Sequence, residues 1–322
     1  MMMPSPSPSP FTTTIIAAAA VLVILACSAA ASHDDTGGPL PKSDVDLLEF
    51  PLNLEYLEAE FFAWGALGRG LDQLAPDLAK GGPPPAGVKQ ASLSPLIKDI
   101  ITQFAYQEFG HLRAIQHAVK GFPRPALNLS AESFARVMDD AFQRQLEPAF
   151  DPYATDLNYL IASYVVPYVG LTGYVGANPK LQSPASRELV AGLLGVESGQ
   201  DAVLRALLYE RANEKVAPYN YTVAEFTNRI SGLRNKLGKK GVKDEGLVVE
   251  AAQGAEGKVE GNVLAGDRYS LAFGRSPLEI LRIVYASGSE AVPGGFYPKG
   301  ADGRIAKSHL DSPPKIIKRF QQ

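Results

Sequence analysis

The chain contains 322 residues, of which 46% are hydrophobic and 20% are charged. This composition is typical of a folded globular protein of one or two domains, and it excludes the disordered, collagen-like and disulfide-scaffold classes. The 31 Lys and Arg residues nearly balance the 34 Asp and Glu residues, which gives a formal net charge of −3. Such a balance offers no basic surface for a polyanion, so we expect no nucleic-acid partner.

The N-terminal residues predict a secretory signal peptide at 1–31. Positions 15–27 form an uninterrupted apolar run, and Ala29-Ala30-Ala31 follows it as a candidate cleavage site. The run suits a signal peptide and is too short to span a bilayer, which needs about 20 residues. No Lys or Arg precedes the run, so an uncleaved anchor or a disordered tail stays open as an alternative. After cleavage we expect no membrane span.

Two further features bear on the compartment. The only cysteine, Cys27, lies inside the predicted signal peptide, so the mature chain would form no disulfide. Asn128 and Asn220 each begin an Asn-x-Ser/Thr sequence, which accepts N-linked glycan in a secretory lumen. We therefore expect a secreted glycoprotein that is stabilised by packing alone.

The next part of the chain predicts a bundle of helices. Residues 32–43 are polar and contain Gly and Pro, which indicates a linker. Apolar residues then recur at helical spacing in four long segments. The predicted helices are 45–71, with Ser43 or Asp44 as its cap and a kink or late start at Pro51, then 92–119, 156–177 and 186–214. A shorter helix at 131–146, capped by Ser130, lies in the crossover between the second and third. Residues 44–218 therefore predict a four-helix bundle with a long crossover.

Residues 219–322 predict a C-terminal extension of mixed character. Thr222 with Glu225 and Ser276 with Glu279 match the capping-box pattern, which predicts helices at 222–237 and 277–285. Between them, residues 242–275 alternate short apolar runs with Gly and charged residues, as in turns and a hairpin. The tail is interpreted as mostly irregular. We expect extra helices together with irregular or short β segments.

Three of the four long helices carry a carboxylate where a core residue belongs. On the second helix, Glu108 and His111 are three residues apart and fall on the apolar stripe, so both face the bundle axis. Glu55 on the first helix and Glu197 on the fourth fall on apolar stripes in the same way. An isolated buried charge is too costly, so each carboxylate must be paired, protonated or bound to a metal. The alternative to a metal site is a buried hydrogen-bonded pair of Glu and His.

The order of these residues along the chain resembles the ferritin-like superfamily. Leu52-Asn53-Leu54-Glu55-Tyr56 is similar to the segment that carries the first metal-binding Glu of ferritins, and Glu108 with His111 matches their second-helix Glu-x-x-His. Trp64-Gly65, the crossover, the signal peptide and GGFYPKG at 294–300 make the chain more similar to plant desiccation-related proteins that contain a ferritin-like domain. The resemblance implies a mainly all-α fold built on a ferritin-like four-helix bundle, with either Fe or Mn or no metal as cofactor.

The resemblance also implies a set of metal ligands, with departures from the family pattern. The candidate ligands are Glu55, Glu108, His111, Glu197 and Gln200. The third helix contains no Glu, and Gln200 stands where a second Glu-x-x-His would end in His. One metal ion is expected at Glu55, Glu108 and His111. The ligands left for a second ion are Glu108, Glu197 and either Gln200 or Tyr168.

Other polar residues near these positions receive plainer interpretations. Glu58 and Glu60 on the first helix are interpreted as surface charges, and His117 as a solvated side chain. The tyrosines of the third helix are interpreted as core residues or as electron donors to a metal centre. These tyrosines are Tyr159, Tyr164, Tyr168 and Tyr174.

Two functions stay open. The favoured hypothesis, which rests on the resemblance, is a secreted dehydration-stress protein that protects or binds, with at most a partial metal site and no turnover. The alternative is a metal-dependent oxidase or peroxidase with a di-iron or di-manganese carboxylate centre. The missing carboxylate on the third helix counts against this enzyme. We expect the chain in the secretory pathway, with the extracellular space, the cell wall or the vacuole as its destination. Whether it forms a homo-oligomer stays open. The macromolecule that it would protect also stays open.

Overall fold

The computed structural model describes residues 39–310. The predicted signal peptide, most of the predicted linker, Cys27 and residues 311–322 lie outside this part of the chain. From Pro41 onward the described residues belong to one compact unit. The division at 218 into a bundle and an extension stays a prediction.

The described residues form helices joined by loops, which confirms the mainly all-α prediction. In chain order the helices are α1 Lys42–Glu49, α2 Leu52–Leu67, α3 Pro95–Ala118, α4 Ala131–Phe142, α5 Asp156–Ser163, α6 Pro167–Ala177, α7 Pro184–Glu210, α8 Val223–Gly238, α9 Pro277–Val284 and α10 Arg304–Leu310. Single helical turns occur at Leu71–Leu74 and Pro76–Ala79, and 3-10 turns at Asn178–Lys180 and Ala255–Gly257. Between residues 39 and 310, β pairing is limited to isolated bridges such as the one between Val248 and Gly261. The hairpin and short β segments expected at 242–275 are therefore not formed there.

Helices α2, α3 and α7 form the predicted bundle, with α5 and α6 together as its fourth member. Helix α2 packs along α3, and α7 packs along α5 and α6, while α2 meets α6 and α3 meets α7 to close the bundle. The crossover from α3 to α5 contains α4, whose start is capped as predicted by the Ser130 hydroxyl accepting from the Ser133 N–H at 3.2 Å. The ferritin-like bundle with a long crossover is thus confirmed.

Proline interrupts two of the four predicted helices. Pro51 separates α1 from α2 because it has no N–H to donate, yet Phe50 and Pro51 keep helical dihedral angles, so the chain bends and continues. The predicted helix 156–177 is divided by a turn at 164–166, and Pro167 opens α6 at the first helical position, where its missing N–H costs least. The first helix also ends at Leu67, before Gly68 at φ 66°, rather than at residue 71.

The predicted caps at the start of the bundle need one correction. Neither Ser43 nor Asp44 caps the first helix, which begins after Pro41 without a side-chain cap. The Asp44 carboxylate instead accepts from the backbone N–H groups of Gln182 at 3.0 Å and Ser183 at 2.8 Å, just before α7. The acid therefore joins the beginning of the first helix to the beginning of the last bundle helix.

The C-terminal residues lie on the outer side of α2. Asn53 and Asp302 form a reciprocal pair, with the Asn53 amide donating to the Asp302 carbonyl at 2.9 Å and accepting from its N–H at 2.8 Å. The Tyr297 hydroxyl donates to the Asn53 carbonyl at 2.7 Å. The tail expected to be irregular also contains α10. Because this segment covers α2, nearly every residue of that helix is buried.

One stretch of the described chain, 156–180, is long and apolar enough to cross a membrane by length and composition. Some 78% of its most apolar window is buried within the protein. Its apolar character is accounted for by its place between α2, α7 and α9.

Candidate metal centre

Acidic side chains from three helices meet inside the bundle. The ligand atoms of Glu55 on α2, Glu108 and His111 on α3, and Glu197 on α7 all lie within 4.8 Å of one another. Each of these residues is buried. The i, i+3 spacing predicted to place Glu108 and His111 on one face therefore does so.

The imidazole of His111 lies at the middle of the group. Its Nδ1 is 3.2 Å from Oε2 of Glu55, 3.2 Å from Oε2 of Glu108 and 3.4 Å from Oε1 of Glu197. One nitrogen carries at most one proton, so it cannot donate a full hydrogen bond to three carboxylates from three helices. The three oxygens and a nitrogen of His111 lie close enough together to be ligands of one metal ion.

Gln200 lies beside this group, one helical turn after Glu197. Its Nε2 donates to Oε1 of Glu108 at 2.5 Å and to Gln107 at 3.1 Å. The structure thus brings together all five residues named from the sequence. Their role as metal ligands stays a prediction.

Glu58 is a further member that the sequence analysis misplaced on the surface. It is 2% exposed, and it lies one turn after Glu55 on the same side of α2. A Cβ atom built on Gly170 of α6 would be 3.2 Å from Oε1 of Glu58 and 3.5 Å from Oε2 of Glu197. The bundle therefore has a fourth inward carboxylate, supplied by the first helix rather than the third. Its signal in the sequence was the three-residue spacing from Glu55.

Glu60 was also wrongly interpreted as a surface charge, but it belongs to a separate structure. It is fully buried and forms an ion pair with the buried guanidinium of Arg124. Arg124 also contacts Asp72 at 2.9 Å, and the Leu71 N–H donates to Glu60 at 3.4 Å. Glu60 is thus a paired structural charge that anchors the chain after α2. His117 is exposed, as expected.

The third bundle helix contributes a tyrosine, although not the one suggested. Tyr174 donates its hydroxyl to Oε1 of Glu55. Tyr168, proposed for the second metal site, instead donates to the Lys243 carbonyl at 3.2 Å and packs between buried arginine side chains. Its assignment as a ligand is therefore wrong. Burial and the charges of Glu55 and Glu197 raise the pKa of Tyr174 well above its usual value, which keeps the phenol protonated.

The carboxylates perturb one another strongly. Burial and the charge of Glu197 raise the pKa values of Glu58 and Glu108 well above the ordinary range. Burial also raises the pKa of Glu197 to about 7, against the opposing contact with His111. Burial alone would lower the pKa of His111, but the carboxylates around it, Glu55 foremost, hold that pKa far above its usual value. A single imidazolium cannot neutralise four buried carboxylates, so the group needs protons or metal cations.

The residues present fit a metal. Three buried oxygens, namely Oε2 of Glu58, Oε2 of Glu197 and Oε1 of Gln200, have no hydrogen-bond partner. Buried polar atoms are usually paired, so each unpaired oxygen needs an explanation. Carboxylate and amide oxygens with one imidazole form the donor set of Fe and Mn carboxylate centres. In such a centre the unpaired oxygens would be metal ligands.

Comparison with known proteins agrees with the fold and the site. The family described as Ferritin-like domain matches residues 43–210. The chain is 69% identical over 265 residues to Desiccation-related protein PCC13-62 of Craterostigma plantagineum, which covers 82% of this chain and 85% of that protein. It is 58% identical over 276 residues to Ferritin-like catalase Nec2 of Nesocodon mauritianus, which covers 86% of this chain and 88% of that one. No solved structure gives a significant match. The chain belongs to the plant desiccation-related proteins that contain a ferritin-like domain.

Proposed function

We propose that this stress protein holds two Fe or Mn ions in its bundle and uses them to remove hydrogen peroxide. The observation that carries the proposal is Glu58, the buried fourth carboxylate with an unpaired oxygen. The sequence alone disfavoured an enzyme because the third helix contains no Glu. Glu58 supplies that missing charge from the first helix, so the argument against a two-metal centre no longer holds.

The residues divide into those that hold the ions and one that orients a ligand. Glu55, Glu108 and His111 would hold one ion, and Glu58, Glu108 and Glu197 the other, with Gln200 at the edge. Tyr174 fixes the orientation of Glu55 through its hydroxyl. When bound, the ions would supply a two-electron redox couple. One hydrogen peroxide would be oxidised to dioxygen with release of two protons and two electrons, and a second would take up two protons and two electrons to give two waters. Burial of the whole group excludes bulk water.

A relative supports this reaction class. The name of the 58% identical protein of Nesocodon mauritianus describes a ferritin-like catalase. The similarity extends over 86% of this chain and 88% of that protein. The donor set supports a redox-active metal, and the name of the relative supports hydrogen peroxide as the substrate.

The test is metal loading followed by measurement of peroxide turnover. The purified mature chain is titrated anaerobically with Fe(II) or Mn(II), the metal is counted by elemental analysis, and dioxygen release from hydrogen peroxide is recorded. We expect about two ions per chain and dioxygen release. His111→Ala should lose both while its far-UV circular dichroism stays nearly unchanged. His117→Ala, at an exposed position on the same helix, is the matched control and should behave as wild type. A wild-type chain that takes up no metal would contradict the proposal.

A second candidate function is protection of other macromolecules during drying, without turnover. The 69% identity to a protein named as desiccation-related favours it. In that case the metal-depleted chain and the His111→Ala variant should preserve a drying-sensitive reporter enzyme as well as the metal-loaded wild type does. Protection that requires bound metal would instead favour the enzymatic function.

We further propose that the protein acts in the secretory pathway. The support is the apolar run at 15–27 followed by Ala29-Ala30-Ala31. The full chain expressed in plant cells should then be recovered outside the cytosol with its N-terminus near Ser32. A variant lacking 15–27 should remain in the cytosol, and equal distribution of the two would contradict the proposal.

A further inference from the structure

Three glycines spaced three residues apart on α6 face different neighbours. A Cβ atom at Gly176 would lie 2.1 Å from the Arg275 carbonyl oxygen, so close approach of the backbone requires glycine there. A Cβ atom at Gly173 would lie 2.7 Å from the Ile280 side chain. Packing of the C-terminal extension against α6 therefore accounts for these two glycines.

Gly170 has no such neighbour. The three atoms nearest to its missing Cβ all belong to side chains: Glu58 Oε1 at 3.2 Å, Glu197 Oε2 at 3.5 Å and Leu54 Cδ2 at 3.8 Å. Its φ angle lies outside the left-handed region, so the backbone does not require glycine either. Glycine is also unfavourable inside a helix compared with most residues. Its lack of a side chain leaves room for little more than one methyl group, in close contact with two carboxylates of the centre.

That space adjoins a small cavity of about 20 Å³. Glu55 and Tyr174 line one part of it and Gly170 and Gly173 another, and the remaining lining residues are apolar and include Pro51 at the bend between α1 and α2. One water needs roughly 10–15 Å³ of such volume, so this cavity admits a molecule of one or two heavy atoms and nothing much larger. The cavity is therefore restricted to very small ligands, and it touches a residue of the metal centre directly.

A polar atom without a partner faces the same position. Oε2 of Glu197 accepts no hydrogen bond, its residue is 1% exposed, and it is the oxygen 3.5 Å from the missing Cβ of Gly170. Gly170 of the third bundle helix thus lies beside a small cavity and beside an unpaired buried carboxylate oxygen. A side chain at Gly170 would bring carbon against that oxygen.

We propose that the space beside Gly170 is where a small uncharged molecule with an O–O bond, hydrogen peroxide or dioxygen, reaches the metal centre, and that the absence of a side chain at Gly170 sets the size limit. This inference rests on the proposed metal centre. Gly170 is a specificity-determining residue, because an Ala methyl group would occupy the space while its contacts with the carboxylates are tight yet tolerable. The Gly170→Ala chain should therefore fold and still bind metal.

The test uses nitric oxide, a molecule of two heavy atoms, as a probe of the Fe(II)-loaded chain without oxygen. We expect the wild type to give a paramagnetic iron–nitrosyl signal, and Gly170→Ala to hold the same amount of iron but bind nitric oxide about tenfold more weakly or not at all. Gly192→Ala, at an exposed position of α7 where a Cβ atom meets nothing within 4 Å, is the control for a helical Gly-to-Ala change. It should match wild type.

The outcomes separate this inference from the proposed function. Iron binding with unaltered nitric oxide affinity in Gly170→Ala would overturn the inference and leave the metal centre standing, whereas a wild type without metal would remove both. If Gly170→Ala loses iron, the inference is tested instead on the wild type, by comparing oxidants of different size. Oxidation of the bound iron by hydrogen peroxide or by dioxygen, supplied separately, should be fast, and oxidation by tert-butyl hydroperoxide slow. Equal rates with the bulky peroxide would overturn the inference.

Discussion

Tyr174 donates its hydroxyl to Oε1 of Glu55, so α6 takes part in the candidate metal centre although it contains no acidic residue. The same helix leaves space for a ligand at Gly170, one turn before. The third bundle helix therefore contributes a hydrogen-bond donor and a gap, while α2, α3 and α7 contribute the charges. The carboxylates thus come from three helices, and a fourth helix positions one of them.

Tyr174→Phe is expected to weaken metal binding by about 10- to 100-fold, which is typical when a group that orients a metal ligand is removed. The physical reason is that Glu55 would rotate more freely without the phenol. Affinity is measured by competition with a chelator. Tyr164→Phe is the matched control, because the Tyr164 hydroxyl is equally buried but contacts Ser231 at 2.8 Å, away from the cluster. Equal losses in both variants would show general loosening of the bundle instead.

Glu58→Gln should reduce the metal content from about two ions to about one per chain. Removing one of several buried like charges should also leave the metal-free chain as stable as wild type or more stable by about 1 kcal/mol. The comparison is Glu60→Gln, two residues later, which breaks the buried pair with Arg124. It should lower the free energy of unfolding by about 3 kcal/mol without changing the metal content. Elemental analysis measures the metal content of the two variants, and urea unfolding measures their stability. Unchanged metal content in Glu58→Gln would contradict the assignment of Glu58 as a metal ligand.

The wrong placement of Glu58 and Glu60 on the surface of α2 has a physical cause. Periodicity identifies a buried face only when another face is exposed, because the apolar stripe is recognised by contrast. Helix α2 has almost no exposed face, since Asn53 holds the segment around Asp302 and Tyr297 against its outer side. That contact joins residues about 250 positions apart in sequence, and local spacing cannot show it. Glu58 and Glu60 therefore looked like the solvent side of an amphipathic helix.

The third bundle helix shows a similar limit. The sequence correctly predicted where this helix lies in the chain and that it is apolar. An apolar helix with several tyrosines does not, however, indicate which tyrosine faces the cluster. Tyr168 and Tyr174 differ by six residues and so point in different directions around the axis. Tyr168 faces the buried arginines of the extension, and Tyr174 faces Glu55. By contrast, Glu108 and His111 could be placed because α3 keeps an exposed side.

The pair of Glu290 and Arg282 predicts a loss of stability in acid. The Arg282 guanidinium donates to Glu290 at 2.7 Å and lowers the pKa of Glu290 from 4.5 to about 2. Since the folded pKa is depressed, the stabilisation is present above about pH 4.5 and disappears as the pH falls toward 2. Partial exposure limits it to about 1 kcal/mol. Urea unfolding of Glu290→Gln should therefore differ from wild type by that amount at pH 7 and converge with it in acid. Glu188→Gln, at an exposed position on α7, is the control for a Glu-to-Gln change and should be as stable as wild type at pH 7.

The two candidate glycan acceptors differ in their surroundings. Asn220 is exposed, and its side chain meets only the exposed Lys215 among the hydrogen bonds found within residues 39–310. Asn128 is half-buried, its backbone N–H donates to the Phe296 carbonyl at 2.9 Å, and its Oδ1 accepts from the Ser130 N–H at 3.2 Å. The Asn128 backbone is therefore bound to the segment that covers α2, and its side chain is tied to the start of α4.

If the chain passes through a secretory lumen as proposed, glycan should be attached at Asn220 in preference to Asn128. A glycan on Asn128 would be carried by a half-buried side chain whose Oδ1 accepts from the Ser130 N–H, whereas Asn220 is exposed to solvent. Mass spectrometry of the secreted chain should show a glycan that Asn220→Gln removes and Asn128→Gln leaves in place. Glycan retained in Asn220→Gln and lost in Asn128→Gln would mean that the C-terminal segment docks on the bundle only after modification, because the acceptor must be accessible when the sugar is transferred.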